Sequence, residues 1–478
     1  MTASTSNSEE RLPKGKGRTE ERRGGEDEQE AIEQEREEER LISTTLQERA
    51  FLVGIELRDG AGSSWRAEDS LEELVQLAQT AEVEVVGRTF QRLERPYPGT
   101  FLGKGKVREI RRLKDEVHYD LVILDHELSA AQAANLEEAW DVRVVDRTGL
   151  ILDIFARHAH TAEGRLQVEL AQYQYLLPRL RGRWTHLSRQ GVGGVGLRGP
   201  GETQLETDRR HIRDLISVLK RKLQEVHTHR ELYRARRRRA GIPVVSLVGY
   251  TNAGKSTLLN TLTGAGVLVA DQLFATLDPT TRRIHLPSGR EALLTDTVGF
   301  IQRLPTTLVA AFRATLEEIA EADVLVHVLD ISHPNAQEQA ETVKRVLKEL
   351  QADAIPCIIA LNKTDRIGPA VGKSEVARMA EELALPPDYV AISARHGWGL
   401  PSLCQRIEEL LDRDSAALDV IIPYSRQDLA ALFHERGHVS AEEYGPEGVH
   451  IRGRLPQRYL SAFAPLPQSR PAQQDRSS

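Results

Sequence analysis

The amino-acid sequence predicts an α/β protein of four units: a small N-terminal parallel α/β domain, an antiparallel coiled-coil helical hairpin, a P-loop domain and a small C-terminal α/β unit. Three observations predict it. Short apolar runs alternate with helical patterns between Phe51 and Ala159, the pattern of strands joined by crossover helices. Two later segments carry apolar residues at alternating steps of four and three, the heptad seam of paired helices. A glycine-rich loop ending in Lys255-Ser256 then lies between an apolar strand and a helix, where phosphate-binding loops sit.

The units are placed at 46–160, 161–240, 241–414 and 415–465, between charged or polar tails at 1–45 and 466–478. A length of 478 residues allows several buried cores. Acidic side chains exceed basic ones, 71 against 64, but the distribution is uneven. The opening to about Arg40 is rich in Glu and Arg and nearly devoid of large apolar residues, so it cannot offset its ordering entropy and is expected to be disordered. No apolar core of signal-peptide length and no membrane-spanning run is present. Cys357 and Cys404 lack metal-ligand spacing and suit a reducing cytoplasm.

In the first unit, strands are expected at Phe51–Ile55, Val83–Val86, Leu121–Leu124 and Val142–Val145. Helices are expected at Leu71–Ala78, Lys106–Leu113 and Ala130–Ala139. The run Gly99-Thr100-Phe101-Leu102-Gly103-Lys104-Gly105-Lys106 reads either as an anion site or as a turn opening a helix.

In the second unit the seams are Leu166, Leu170, Tyr173, Leu177 and Leu180, then Ile212, Ile216, Leu219, Leu223 and Val226, with Pro178 kinking the first helix near its end. A glycine-rich tip from Gly182 to Gly201 joins them. It carries Arg181, Arg183, Arg189 and Arg198 beside Trp184 and His186, a combination suited to phosphate neutralisation and base stacking on folded RNA; a solvated linker is the plainer alternative. The second helix adds Arg209, Arg210, Arg213, Lys220, Arg221 and Lys222, a basic stripe of the kind nucleic-acid binders present.

The third unit holds the chemistry. Val244–Val248 reads as a buried strand and Thr257–Leu262 as a helix, flanking Gly249-Tyr250-Thr251-Asn252-Ala253-Gly254-Lys255-Ser256. In that geometry backbone N–H groups and a helix N-terminus surround phosphates, Lys255 reaches the β- and γ-phosphates, and the Ser256 hydroxyl ligates Mg²⁺. Asp296-Thr297-Val298-Gly299 ends the strand Ala292–Thr295, which places Asp296 to hold Mg²⁺ through water and Gly299 near the γ-phosphate. Asn362-Lys363-Thr364-Asp365 follows the strand Cys357–Leu361, and the Asp365 carboxylate can accept from guanine N1–H and the C2 amino group, which adenine lacks. Ser393-Ala394-Arg395 follows Tyr389–Ile392 and offers a backbone N–H to the guanine O6. The unit is therefore expected to be a P-loop GTPase domain. Between Thr257 and Asp296, the segment Phe274-Ala275-Thr276-Leu277-Asp278, with Thr280 and Thr281 just beyond, supplies candidates for the threonine that completes the magnesium site. Phe300 occupies the position where many GTPases carry a water-orienting Gln, so hydrolysis by the isolated chain is expected to be slow and no catalytic base is assigned. Strand Leu418–Ile422 and a helix around Leu429–Phe433 open the fourth unit.

Taken together these residues resemble the HflX-type ribosome-associated GTPases of the Obg-HflX superfamily. The resemblance rests on the phosphate loop, on Leu273-Phe274-Ala275-Thr276-Leu277-Asp278-Pro279-Thr280, on Val145-Asp146-Arg147-Thr148, and on Gly199-Pro200-Gly201-Glu202-Thr203-Gln204-Leu205-Glu206, and it runs from about Ala50 to Pro465. It implies that Thr276 ligates Mg²⁺, that a hydrophobic residue at 300 is usual, and that the partner is the large ribosomal subunit with its RNA; the chain itself is expected to be a monomer. It further implies stimulation of hydrolysis by ribosomes and rescue or dissociation of stalled ribosomes under stress. A signalling switch or scaffold whose basic hairpin binds a protein is the alternative reading.

Overall fold

The computed structural model describes residues 48–57, 66–180, 200–240, 242–264, 273, 274, 276, 278–302, 318–367, 373–413, 415–456, 459–463 and 466. The charged opening, the Gly-rich tip with Arg189 and Arg198, and most of the C-terminal tail lie outside the described residues.

The N-terminal unit runs β1 (Arg49–Leu57), α1 (Ala67–Thr80), β2 (Glu84–Leu93), α2 (Lys104–Val117), β3 (Leu121–Leu124), α3 (Ala130–Trp140), β4 (Arg143–Asp146) and α4 (Arg147–His158). Its sheet has the order β2-β1-β3-β4 with every pair parallel. Helices cover both faces, which is why β3 is buried along its whole length. Helix α3 starts at a capping box formed by Ser129 and Gln132. The sequence reading passed over α4, although its start was legible: Asp146 is the N-cap, accepting from Gly149 N at 2.8 Å, and an apolar run follows. The Gly99–Lys106 run forms a turn and helix start. Two of its donors are engaged within the fold: Gly103 N donates to Gln91 Oε1 at 3.1 Å and Lys106 Nζ to Thr89 Oγ1 at 3.1 Å.

The hairpin consists of α5 (Ala162–Leu176) and α6 (Pro200–Ala240). Glu163, at the start of α5, pairs with Arg230, late in α6, at 2.8 Å, so the helices run antiparallel. All ten seam residues are buried or half-buried, with Leu170 and Leu219 the most enclosed. At Pro178 the first helix tightens into a 3₁₀ turn over Leu177–Arg179. The second begins at Pro200, inside the expected tip, because a proline at the first helical position loses no hydrogen bond. Arg210, Arg213, Lys220, Arg221 and Lys222 are exposed and Arg209 is half-buried. Helix α5 also buries Val168 and Ala171 in the core that holds α4.

The nucleotide unit contains β5 (Val244–Gly249), α7 (Lys255–Thr263), β6 (Thr280–His285), β7 (Glu291–Asp296), β8 (Val324–Asp330), α8 (Ala336–Glu349), β9 (Cys357–Asn362), α9 (Lys373–Glu382), β10 (Tyr389–Ala391) and α10 (Leu400–Arg413). The six-stranded sheet has the order β10-β9-β8-β5-β7-β6, with only the edge strand β6 antiparallel. One face packs under α7 and α10 around Leu247, Leu259, Val326 and Leu403. The other face shares a continuous apolar cluster with the N-terminal unit: Leu52, Leu74, Ile151 and Phe155 with Tyr250, Phe274, Phe300 and Val343. The C-terminal unit, β11 (Ser415–Ile422), α11 (Gln427–Arg436), β12 (His438–Gly445), β13 (Gly448–Pro456) and α12 (Leu460–Phe463), is a three-stranded antiparallel sheet with its own core around Phe433 and Ile451. Among the described residues no helix is long and apolar enough to cross a membrane.

Candidate nucleotide site

Parallel strands β5, β7, β8 and β9 end side by side, and the loops after them form one crevice, the usual ligand position in open α/β sheets. After β5 the chain must turn within van der Waals reach of β8. Gly249 has φ 154°, and a Cβ there would lie 2.4 Å from the Val328 carbonyl oxygen, so no other side chain fits. Gly254 has φ 98° and precedes α7, which begins at Lys255.

The Lys255 ammonium lies inside this loop, donating to the carbonyls of Tyr250 at 2.8 Å and Gly249 at 3.2 Å. Burial pulls its pKa down to about 8, with Asp296 opposing the shift. Gly299 approaches it closely: a Cβ there would be 3.1 Å from Lys255 Nζ and 2.8 Å from the Thr251 Cα.

Ser256 Oγ lies 2.7 Å from Thr276 Oγ1 and 2.6 Å from Asp296 Oδ2. Burial raises the Asp296 pKa, against lowering by Lys255 and by hydrogen bonds from Ser256 and Thr276. The other Asp296 oxygen, Oδ1, is buried without a hydrogen-bond partner. Two hydroxyls and a carboxylate with a spare oxygen form a hard, all-oxygen donor set, and this fits Mg²⁺. Of the candidate threonines only Thr276 joins it. Thr280 and Thr281 sit in β6, and the Thr281 hydroxyl is bonded to that of Thr295 at 3.0 Å.

The base-reading side is equally tied together. Asn362 donates from Nδ2 to Ala253 O at 2.8 Å and accepts at Oδ1 from Ala394 N at 2.9 Å, joining the phosphate loop to the Ser393–Arg395 turn. Lys363, at φ 66°, donates to Asn252 O at 2.8 Å and pairs with Asp330 at 2.7 Å. Thr364 Oγ1 donates to Ile392 O at 2.9 Å, and Ser393 Oγ to Asp365 Oδ1 at 2.6 Å. Burial pushes the Asp365 carboxyl up, but the Ser393 bond, its own backbone N–H and nearby His396 and Arg366 outweigh it, leaving the pKa below the usual value. An ionised carboxylate is thus oriented for two donors on a planar base edge. Arg395 is exposed.

Several predicted site residues turn their side chains elsewhere. Thr297 Oγ1 donates to Leu247 O at 2.6 Å, and Val298 is buried. Phe274 is buried against Phe155, with ring centroids 4.7 Å apart, and the Asp278 carboxylate binds the backbone at His160 and Thr161. Phe300 is a core residue; its N–H donates to Gly249 O and its C=O accepts from Thr251 N, continuing the sheet beside the phosphate loop. Thr251 Oγ1 is buried without a partner and Thr257 is half-buried. Ala275 and Leu277 lie outside the described residues.

Family models match in chain order: "GTP-binding GTPase N-terminal" over residues 68–156, "GTP-binding GTPase Middle Region" over 158–237 and "50S ribosome-binding GTPase" over 244–363. GTPase HflX of Caldanaerobacter subterraneus subsp. tengcongensis is 46% identical over 410 residues, covering 85% of this chain and 91% of that protein. The chain belongs to the HflX family of GTPases. GTPase HflX of Escherichia coli is 45% identical over 392 residues, covering 81% of this chain and 90% of that protein. A Sulfolobus solfataricus GTP-binding protein in complex with GDP aligns at 25% identity and TM-score 0.39, over 76% of this chain and 99% of that one. By its membership of that family the chain is a GTP-binding protein and a GTPase.

Sequence reasoning missed a buried polar cluster behind the phosphate loop. The Tyr250 hydroxyl donates to Glu73 and accepts from Gln302 N at 2.7 Å. Arg147 donates to Glu73 and, at 2.6 Å, to Asp125 Oδ1; Ser70 donates to the other Asp125 oxygen. Arg147 is 2% exposed. Burial opposes its charge, but Glu73 and Asp125 outweigh it and raise its pKa. The Val145–Thr148 signature marked the position, and no spacing rule indicated its partners.

Proposed function

We propose that this GTPase works on the large ribosomal subunit, dissociating or rescuing stalled ribosomes, and that its hairpin is the RNA-contacting element. The crevice supports the nucleotide chemistry. Asp365 would read the guanine edge, the phosphate loop N–H groups and Lys255 would hold the phosphates, and Ser256, Thr276 and Asp296 would hold Mg²⁺. When bound, the ion neutralises charge developing on the β- and γ-phosphate oxygens. Burial lowers the Lys255 pKa to about 8, and a bound phosphate dianion would raise it again and hold the ammonium charged. Phe300 cannot orient water, so turnover is slow until a partner positions that water.

The observation that carries the ribosomal half is the hairpin itself. Its second helix exposes Arg210, Arg213, Lys220, Arg221 and Lys222, while its root packs in the same core as Tyr250 and Phe274. Phosphate-rich RNA bound along that helix would act on the nucleotide unit through packed side chains. The matched description of the nucleotide unit as a 50S ribosome-binding GTPase supports the same partner. A cytoplasmic location follows from that role.

The test is sedimentation of the GTP-analogue-loaded protein with large subunits, with steep weakening by salt. Turnover with and without subunits, for the intact chain and for a chain shortened from Gln190 to Arg198, completes it. Binding that ignores salt and subunits, with capture of a protein partner instead, would favour a signalling switch.

A further inference from the structure

Residues 273, 274, 276 and 278 precede β6, and contacts with α4 and with the root of the hairpin flank Thr276. On one side is the edge-on contact of Phe274 with Phe155 of α4. On the other, the Asp278 carboxylate accepts hydrogen bonds from His160 N at 2.9 Å and Thr161 N at 2.8 Å, and a third from the Thr161 hydroxyl. Thr161 is the N-cap of α5, its own Oγ1 accepting from Gly164 N at 2.9 Å. A carboxylate reaching in from 117 residues away thus closes the N-terminus of the first hairpin helix, where free N–H groups and the helix dipole favour negative charge. The fit leaves no spare room: a Cβ on Gly164 would lie 2.3 Å from Asp278 Oδ1. Arg230 of the second hairpin helix pairs with both Glu163 and Glu318, tying the same root to the segment before β8.

We propose that Asp278 is a positioning residue that couples Thr276 to the hairpin root, so that filling the magnesium and γ-phosphate side of the pocket and seating α5 are one linked equilibrium. The proposal rests on the assignment of Thr276 to the magnesium site. Thr276 and Asp278 stand two positions apart in the sequence, so a backbone shift that carries Thr276 away from the Ser256–Asp296 oxygens is resisted by the carboxylate held on α5. By linkage, whatever seats the hairpin raises affinity for the triphosphate by the same factor that the triphosphate favours the seat. GDP has no γ-phosphate, so the coupling is read as the preference for a GTP analogue over GDP.

The experiment measures affinities for a non-hydrolysable GTP analogue and for GDP, across a Mg²⁺ titration, in the full chain and in Asp278→Ala, Gly164→Ala and Thr161→Ser, each checked by thermal melting. Gly164→Ala is the decisive variant. It leaves the nucleotide pocket intact and improves helix propensity, yet its methyl group evicts the carboxylate. The expected result is a loss of analogue preference of about tenfold in Asp278→Ala and in Gly164→Ala, with GDP affinity kept in the latter. The double variant should lose no more than the larger single loss, because both break one contact. Thr161→Ser, which keeps the hydroxyl, should behave as the parent. Equal weakening for GDP and analogue in Asp278→Ala, or an unchanged preference in Gly164→Ala, overturns the coupling. A parent chain that binds no guanine nucleotide overturns the functional reading itself, a result distinct from either.

Discussion

Replacing Arg147 by Met tests whether the cluster behind the phosphate loop is held by charge. Met has similar length and fills the channel, so the change removes the guanidinium with little loss of volume. What remains is Glu73, 7% exposed, and Asp125, fully buried, without the guanidinium that bridges them. Breaking a buried pair from one side costs about 3–5 kcal/mol, because the residual charge is uncompensated. At roughly 2–4 °C per kcal/mol for a domain of this size, the melting point should fall by about 6–20 °C at neutral pH. The pH dependence separates this cause from a packing defect. Glu73 already has a raised pKa in the folded chain, from burial, and Arg147 is the largest influence lowering it. Without Arg147 the folded pKa rises further, so the fold binds a proton that the unfolded chain releases above the ordinary glutamate value of 4.5. Stability of the variant therefore falls as pH climbs from that value, and its deficit shrinks on acidification. Melting curves of parent and variant at pH 7.5 and 5.5 make the measurement. A deficit under about 2 °C, or one that widens at the lower pH, refutes the charge argument.

Tyr250→Phe keeps the ring but strips the hydroxyl that joins Glu73 to Gln302 N. About 1–3 kcal/mol of stability should be lost, with weaker nucleotide binding, and a melting point within about 1 °C of the parent would show the hydroxyl to be dispensable. The Lys255 ammonium, with its pKa near about 8, predicts that GTP affinity falls by about tenfold between pH 7 and 9, since binding then requires proton uptake. In the empty protein the same group binds fewer protons folded than unfolded, so its contribution to stability rises with pH from about 8 toward 10.5. A flat affinity profile by nucleotide titration would contradict both statements. Asp365→Asn presents an amide donor to the base and should move selectivity from guanine to xanthine nucleotides; competition binding that leaves guanine preferred would remove Asp365 from the base-reading role.

How much of this was legible in the sequence depends on the reach of each interaction. The strands, the heptad seams and the phosphate loop are local patterns, and the fold keeps them because period and propensity agree with burial. Thr276 could not be separated from Thr280 and Thr281 by residue type. The distinction is one of place: an edge strand carries the latter two, while Thr276 stands beside Ser256. Phe274, Asp278 and Phe300 read as parts of a nucleotide motif and are fixed points of the fold: Phe274 packs on Phe155, Asp278 bonds to the backbone at Thr161, and Phe300 is buried in the core. No local signal announces such points. Asp278 meets Thr161 across 117 residues and Tyr250 meets Glu73 across 177. Tyr250 also lies in the apolar cluster shared with the N-terminal unit, as do Phe274 and Ala159. Phosphate loop and magnesium-side segment are therefore each bonded to the N-terminal half of the chain, one through a buried ion cluster and one through a helix cap. Under the proposed function, a partner gripping the hairpin would act on both the phosphate and the metal side of the pocket, and of the two attachments only the cap at Asp278 joins the segment that carries the proposed metal ligand Thr276.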